Sequence, residues 1–291
     1  MRQGFLIIGL VGLGWLAIAR ADDTIRVTTW NLQWFPSGSQ NKAAPEVEKQ
    51  RIQAAADAIE VLNPDVLLLQ EVRDWETCEK LAAAVKGQKY QVAVCSAFKE
   101  FGTVGWQQVA ILAKQPAEAA WAAGWTTIGA VDPPRGYAFA TFRFGERQIG
   151  FYSVHLKSNL VRSGNPFQQL QLNILKRELA AEQLVTHAGE MQKTFTGLNS
   201  VVVGGDFNTN PDQAEFVSER TLGIFTVAGF LNAFDGVPLR DRITHPGKGR
   251  YPDATFDYLF LKGVEPVGAP EITRSSVSDH WPVTFSTDLL P

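Results

Sequence analysis

Eight polar residues hold most of the chemistry available to this chain: Asn31, Glu71, His155, Asp206, Asn208, Asp257, Asp279 and His280. Each stands at the end of a separate short apolar run or directly beside one. Arg26 to Thr29 leads to Asn31, Val66 to Leu69 to Glu71, Phe151 to Val154 to His155, and Val201 to Val203 to Asp206 and Asn208. Asp257 and the tripeptide Ser278-Asp279-His280 flank two further runs near the C-terminus. Gathered in one place, these carboxylates, carboxamides and imidazoles have the composition expected for metal-assisted hydrolysis of a phosphate ester.

Gathering them is the task of the surrounding elements. Short β-branched apolar runs read as buried strands, and strands deliver their last side chains to one edge of a sheet. Further strands are expected over 90–94, 109–112, 137–144, 256–261 and 282–286. Ile52, Ala55, Ala56, Ile59 and Leu62 fall at helical spacing, and Asn63-Pro64 closes that helix. Other helices are expected over 76–85, from Pro166 to about His187 with Leu172, Leu175 and Leu179 on one stripe, and over 212–220. Helices interspersed among runs of strands predict packed sheets covered by helices.

The chain opens with Arg2, an apolar stretch from Phe5 to Ala19, and Ala19-Arg20-Ala21. This pattern predicts a secretory signal peptide over 1–21, with Asp22 as the first mature residue; the apolar stretch is short for a retained bilayer anchor. The expected location is therefore secreted or periplasmic, with no stable membrane span after cleavage. Without the leader, 25 basic residues face 30 acidic ones, so the formal charge becomes about −5 instead of −3. A broad basic face for nucleic acid is excluded, and polyanion binding must come from a metal and a local cationic cluster. No linker, repeat or low-complexity tract divides residues 22–291, which predicts a single domain and a monomer. Cys78 and Cys95, the only cysteines, exclude a disulfide scaffold and leave one bridge or two thiols open.

The motifs Trp30-Asn31, Leu69-Gln70-Glu71-Val72, His155-Leu156-Lys157-Ser158, Gly204-Gly205-Asp206-Phe207-Asn208, Phe256-Asp257-Tyr258 and Ser278-Asp279-His280-Trp281-Pro282-Val283 together resemble the endonuclease/exonuclease/phosphatase superfamily, of the pancreatic deoxyribonuclease type. The resemblance covers essentially the whole mature chain. It implies a four-layer α/β/β/α sandwich of two mixed sheets flanked by helices, and a metal-dependent phosphodiesterase.

In that frame Glu71, Asn31 and Asp279 are the expected metal ligands. An all-oxygen set suits Mg²⁺ or Mn²⁺ and disfavours zinc. Asp206 is expected to activate water, Asn208 to hold a phosphate oxygen, and His280, oriented by Asp257, to meet the phosphate as a cation, with His155 at the leaving group. Asp206-x-Asn208 also has the pattern of an Asx turn. Arg135 and Lys157 are expected to add phosphate contacts, whereas His187 and His245 default to structure or surface. The leading expectation is a secreted endonuclease acting on nucleic acid. The alternative is a phospholipid or inositol/sugar-phosphate phosphodiesterase or phosphatase, sphingomyelinase-like, to which Trp121 and Trp125 would contribute an aromatic hairpin. A binding module without catalysis is disfavoured by the intact polar set.

Overall fold

Val66 to Leu69 is apolar at every position because both faces of its strand are covered, which is why the run shows no period-two alternation. Val66 and Leu68 face a second sheet, while Leu67 and Leu69 face helices. The computed structural model describes residues 24–288 except 101, 162 and 250, so the expected leader lies outside the described residues.

In chain order the elements are β1 (Thr24–Phe35), α1 (Pro45–Leu62), β2 (Val66–Val72), α2 (Trp75–Ala84), β3 (Gln91–Cys95), the hairpin β4 (Lys99–Glu100) and β5 (Thr103–Val104), then β6 (Gln108–Ala113), β7 (Ala119–Gly124), β8 (Gly136–Phe144) and β9 (Arg147–His155). There follow α3 (Pro166–Thr194), β10 (Leu198–Asp206), α4 (Thr221–Val227), β11 (Leu231–Asn232), β12 (Asp257–Lys262), β13 (Glu271–Ile272) and β14 (Val283–Asp288). One six-stranded sheet runs β13-β14-β1-β2-β6-β3 and the other β11-β12-β10-β9-β8-β7. Both mix parallel and antiparallel pairs: β1–β2 and β9–β10 are parallel, and β1–β14 and β10–β12 are antiparallel.

Helices α1 and α2 cover the first sheet with Ala55, Ala56, Ile59, Cys78 and Leu81. Ala180, Ala181, Leu184 and Ala188 of α3 and Phe225 of α4 cover the second. The four-layer sandwich is thus present. Asn63 closes α1 in the left-handed conformation, with its N–H bonded to Ile59. Cys78 of α2 and Cys95 of β3 are both free thiols, and Cys95 Sγ donates to the Ser96 carbonyl at 3.6 Å.

Three expectations need correction. Leu175 is exposed, and the buried face of α3 holds Asn173, Ile174, Arg177, Glu178 and the alanines instead of a leucine stripe. Apolar periodicity misreads this helix because two charged residues lie on its inner face. The helix also continues past His187 to Thr194. The helix expected over 212–220 is one 3₁₀ turn, Ala214–Phe216, and α4 begins only at Thr221.

The segment around Trp121 is strand β7. Trp121 packs on Phe139, with centroids 4.6 Å apart, and Trp125 packs on Tyr137 at 5.4 Å, so neither forms a projecting hairpin. Two glycines let β10 sit this close to its neighbours. A Cβ on Gly204 would lie 2.6 Å from Leu68 Cδ1 of the facing sheet, and one on Gly205 would lie 2.0 Å from the Val154 carbonyl oxygen.

Candidate active site

Register puts three site residues on one level of the second sheet. Asp206 pairs with His155 in the β9–β10 ladder and with Asp257 in the β10–β12 ladder. The first sheet supplies Asn31 and Glu71 from across the core. Strand alternation would turn Glu71 away, because Gln70 before it already points to the second sheet, where its Nε2 donates to Ser153 Oγ at 3.0 Å. Instead Glu71 has φ 58°, and the register shifts there in both ladders of β2. This bulge re-aims the carboxylate into the site.

Six described non-glycine residues have positive φ, and five of them, Gln33, Trp34, Glu71, Arg135 and Asn208, lie in or beside the site. Each such backbone costs on the order of 1–3 kcal/mol. Strain therefore collects where polar groups converge.

Asp206 is the hub. Its Oδ2 accepts from Asn31 Nδ2 at 2.9 Å and lies 3.6 Å from His155 Nε2 and 3.8 Å from His280 Nε2. Its Oδ1 accepts from the Asn208 N–H at 2.9 Å, which is an Asx turn. Glu71 Oε2 accepts from the Trp34 N–H at 2.8 Å, while Oε1 is 3.4 Å from Asn31 Nδ2 and 3.8 Å from His155 Nε2. His280 Nδ1 donates to Asp257 Oδ2 at 2.8 Å. Ser278 fixes the approach of this ring, its hydroxyl donating to the Asn31 carbonyl at 2.7 Å and accepting from the His280 N–H at 3.1 Å.

The charges divide sharply. Burial works against a cationic His280, yet the carboxylates of Asp257 and Asp206 outweigh it and raise its pKa to about 10. Burial pushes Asp206 up to about 7, against the charge of His280 and the Asn31 amide. Burial, followed by the charges of Arg135, His280 and Lys157, holds His155 well below the usual imidazole value, so it is neutral. The result is one cationic ring, one neutral ring and a carboxylate that titrates near neutrality.

The donor set fits a hard divalent cation. Asp257 Oδ1 is buried without a hydrogen-bond partner among the described residues, and Glu71 Oε1 has only the long Asn31 hydrogen bond, so two carboxylate oxygens of the site are left under-bonded. Asp206, Asp257 and His280 also bring one possible ligand atom each within 4.8 Å of one another. A doubly protonated imidazole has no lone pair to offer, so Glu71 and Asn31 are the better oxygen donors.

The other expected residues stand further out. Asp279 is exposed and accepts from Gln33 Nε2 at 2.8 Å; its link to Asn31 runs through Gln33, whose N–H donates to Asn31 Oδ1 at 3.0 Å. Asn208 Nδ2 donates to the Leu156 carbonyl at 3.2 Å. Arg135 donates to the His155 and Leu156 carbonyls at 3.0 and 2.8 Å. Strand β9 ends at His155, so alternation does not carry over to Lys157, whose Nζ donates to the Ser158 carbonyl at 2.8 Å.

His245, given by default to structure or surface, lies beside the site. Its ring lies 4.8 Å from that of His280, nearly perpendicular, because Thr244 binds the loop back onto the site. The Thr244 hydroxyl accepts from the Phe256 and Asp257 N–H groups at 3.0 and 3.1 Å, and its carbonyl accepts from the Trp281 N–H at 2.7 Å. His187 is structural, bonded to the Tyr152 hydroxyl at 2.8 Å.

Among solved structures, truncated Caenorhabditis elegans TDP2 matches at TM-score 0.60 and 17% identity, over 91% of this chain and 98% of that one. D. rerio TDP2 complexed with single strand DNA product matches at 0.60 and 15%, over 91% and 99%. An endonuclease/exonuclease/phosphatase from Bacteroides vulgatus matches at 0.63 and 15%, over 92% and 99%. At such identities these establish the shared fold. No curated protein sequence matches the chain. The model of the Endonuclease/Exonuclease/phosphatase family, however, matches residues 28–280. The chain belongs to that family. Hydrolases of this family act on phosphate esters, which agrees with the site's mix of carboxylates and imidazoles.

Arg177 was invisible as a site residue because it lies inside a helix. Its fully buried guanidinium binds Glu219 through Nε at 2.7 Å, and through Nη1 the Lys157 carbonyl at 2.8 Å and Asn159 Oδ1 at 2.6 Å. It thereby anchors the segment that follows His155. Arg177→Ala should lower stability by about 3–5 kcal/mol, because Glu219 is left buried and unpaired, and Arg177→Met with Glu219→Leu should recover most of that loss. Urea unfolding of the three variants measures this; a single-variant cost below about 1 kcal/mol would show that the pair does not hold the loop.

Proposed function

We propose that this chain is a divalent-metal-dependent phosphodiesterase that cleaves nucleic acid internally, an endonuclease exported from the cell. The observation that carries the reading is the setting of Asp206: one buried carboxylate oxygen faces an amide and two imidazoles at 2.9, 3.6 and 3.8 Å. A water placed beside it has a base whose pKa, about 7, suits proton transfer near neutral pH.

Glu71 and Asn31 would hold Mg²⁺ or Mn²⁺, which supplies Lewis-acid polarisation of a phosphoryl oxygen. The chain's own residues do the rest. Asp206 takes the proton of the attacking water. His280, held by Asp257, keeps a positive charge against the phosphate as negative charge builds in the transition state. Neutral His155 has a proton to share with the leaving oxygen. Asp257 is a positioning residue, since it fixes which ring nitrogen points into the site.

Nucleic acid is favoured as substrate because the D. rerio TDP2 relative is complexed with a single-strand DNA product. The lipid alternative loses the support of Trp121 and Trp125, which are packed against the aromatic core, and keeps only that of the acidic net charge.

Plasmid and single-stranded DNA should be cut in Mg²⁺ or Mn²⁺ and left intact in EDTA. Turnover should rise as pH increases through about 7, where Asp206 loses its proton, and fall near 10, where His280 loses its own. Asp257→Asn should move the alkaline limb to lower pH, and a pH–rate profile with an unmoved limb would break the Asp257–His280 assignment. Export is tested separately: N-terminal sequencing of material from the periplasm or medium should begin at Asp22, and a full-length membrane-bound species would contradict it.

A further inference from the structure

Gln108, the first residue of β6, is buried and uses its whole carboxamide. Its Oε1 accepts from Ser96 Oγ at 2.6 Å and the Phe98 N–H at 2.7 Å, and its Nε2 donates to the Phe98 and Gly105 carbonyls at 3.1 and 2.7 Å. One satisfied side chain thus fixes the loop that carries the β4–β5 hairpin. Facing that loop is Pro134-Arg135, which leads into β8. Between them lies a cavity of about 340 Å³, lined in part by Phe98, Lys99, Gln107, Arg135 and Lys176.

The cavity borders the site. Gln108 pairs with Val72, one residue past Glu71, and Tyr137 pairs with Val154, one residue before His155. Arg135, on the cavity wall, donates to the His155 carbonyl. The lining is locally cationic in a chain of net charge −3: Lys99, Arg135 and Lys176 face Glu100 and Asp132, and Asp132 accepts from the Thr127 hydroxyl at 2.6 Å. Arg135 uses Nε, Nη1 and Nη2 on His155, Gln107 and Leu156, and a guanidinium carries five N–H groups, so two have no partner among the described residues. Phe98, half-buried, adds an aromatic surface. Cations beside an aromatic ring are the means by which proteins hold single-stranded nucleic acid without reading its sequence.

We propose that this cleft is a nucleotide subsite, receiving the nucleotide next to the scissile phosphate on the His155 side, with its phosphate against Arg135, Lys99 and Lys176 and its base against Phe98. The inference rests on the phosphodiesterase reading and narrows it to polynucleotide strands over compact diesters. Because Gln108 preforms the loop, little ordering cost opposes binding.

The test compares kcat/KM for a single-stranded oligonucleotide with kcat/KM for bis(p-nitrophenyl) phosphate, which has no flanking nucleotide. In the Lys99→Gln/Lys176→Gln double variant, and separately in Phe98→Leu, the oligonucleotide-to-ester ratio should fall about tenfold, chiefly through KM. The salt dependence of log KM for the oligonucleotide should lose roughly 0.7 in slope per lysine replaced. Ratios within twofold of wild type in both variants would overturn the subsite while leaving the phosphodiesterase reading intact. A wild-type protein that hydrolyses neither substrate in Mg²⁺ or Mn²⁺ would overturn the phosphodiesterase reading itself.

Discussion

The hydrogen bond from Asn31 to Asp206 joins the two sheets at the centre of the site. At 2.9 Å it requires β1 and β10 to face each other without intervening bulk, and Gly204 makes this possible two residues earlier on the same face of β10. The core around it is apolar and closely packed, so the sheets have little freedom to slide. Every other site group is placed relative to this contact. His155 and Asp257 flank Asp206 by register, and Glu71 reaches it only because β2 bulges.

Such a cluster of buried carboxylates would ordinarily oppose folding. It is tolerated because His280 carries a charge between Asp257 and Asp206, and because backbone N–H groups from Trp34 and Asn208 solvate Glu71 and Asp206. The balance is incomplete, since Asp257 Oδ1 and His155 Nδ1 remain buried without partners among the described residues. Unmet polar groups and strained backbone coincide here. That coincidence suits a site that finishes its bonding with substrate and cation.

Much of this arrangement was legible in the sequence because it rests on strand ends. The runs before Asn31, Glu71, His155 and Asp206 are strands, and their polar termini converge as strand geometry demands. What escaped depends on contacts that periodicity does not encode. The inner face of α3 contains Arg177 and Glu178, which are buried only because Glu219 and Arg220 meet them from a distant turn. His245 reaches the site because Thr244 folds a long loop back through backbone bonds. The outward stance of Asp279 depends on Gln33, a residue with nothing in its sequence context to mark it. The bulge at Glu71 was equally hidden, since Gln70-Glu71-Val72 looks like continuous strand.

The most direct test of the account is the turnover of Asp206→Asn on one soluble phosphodiester with Mg²⁺ or Mn²⁺ present. The substitution keeps the shape of the side chain and removes the base. A loss of about 10²–10⁴-fold in kcat with the folded state retained is the predicted result. Turnover within a few-fold of wild type would contradict the central role given to this carboxylate.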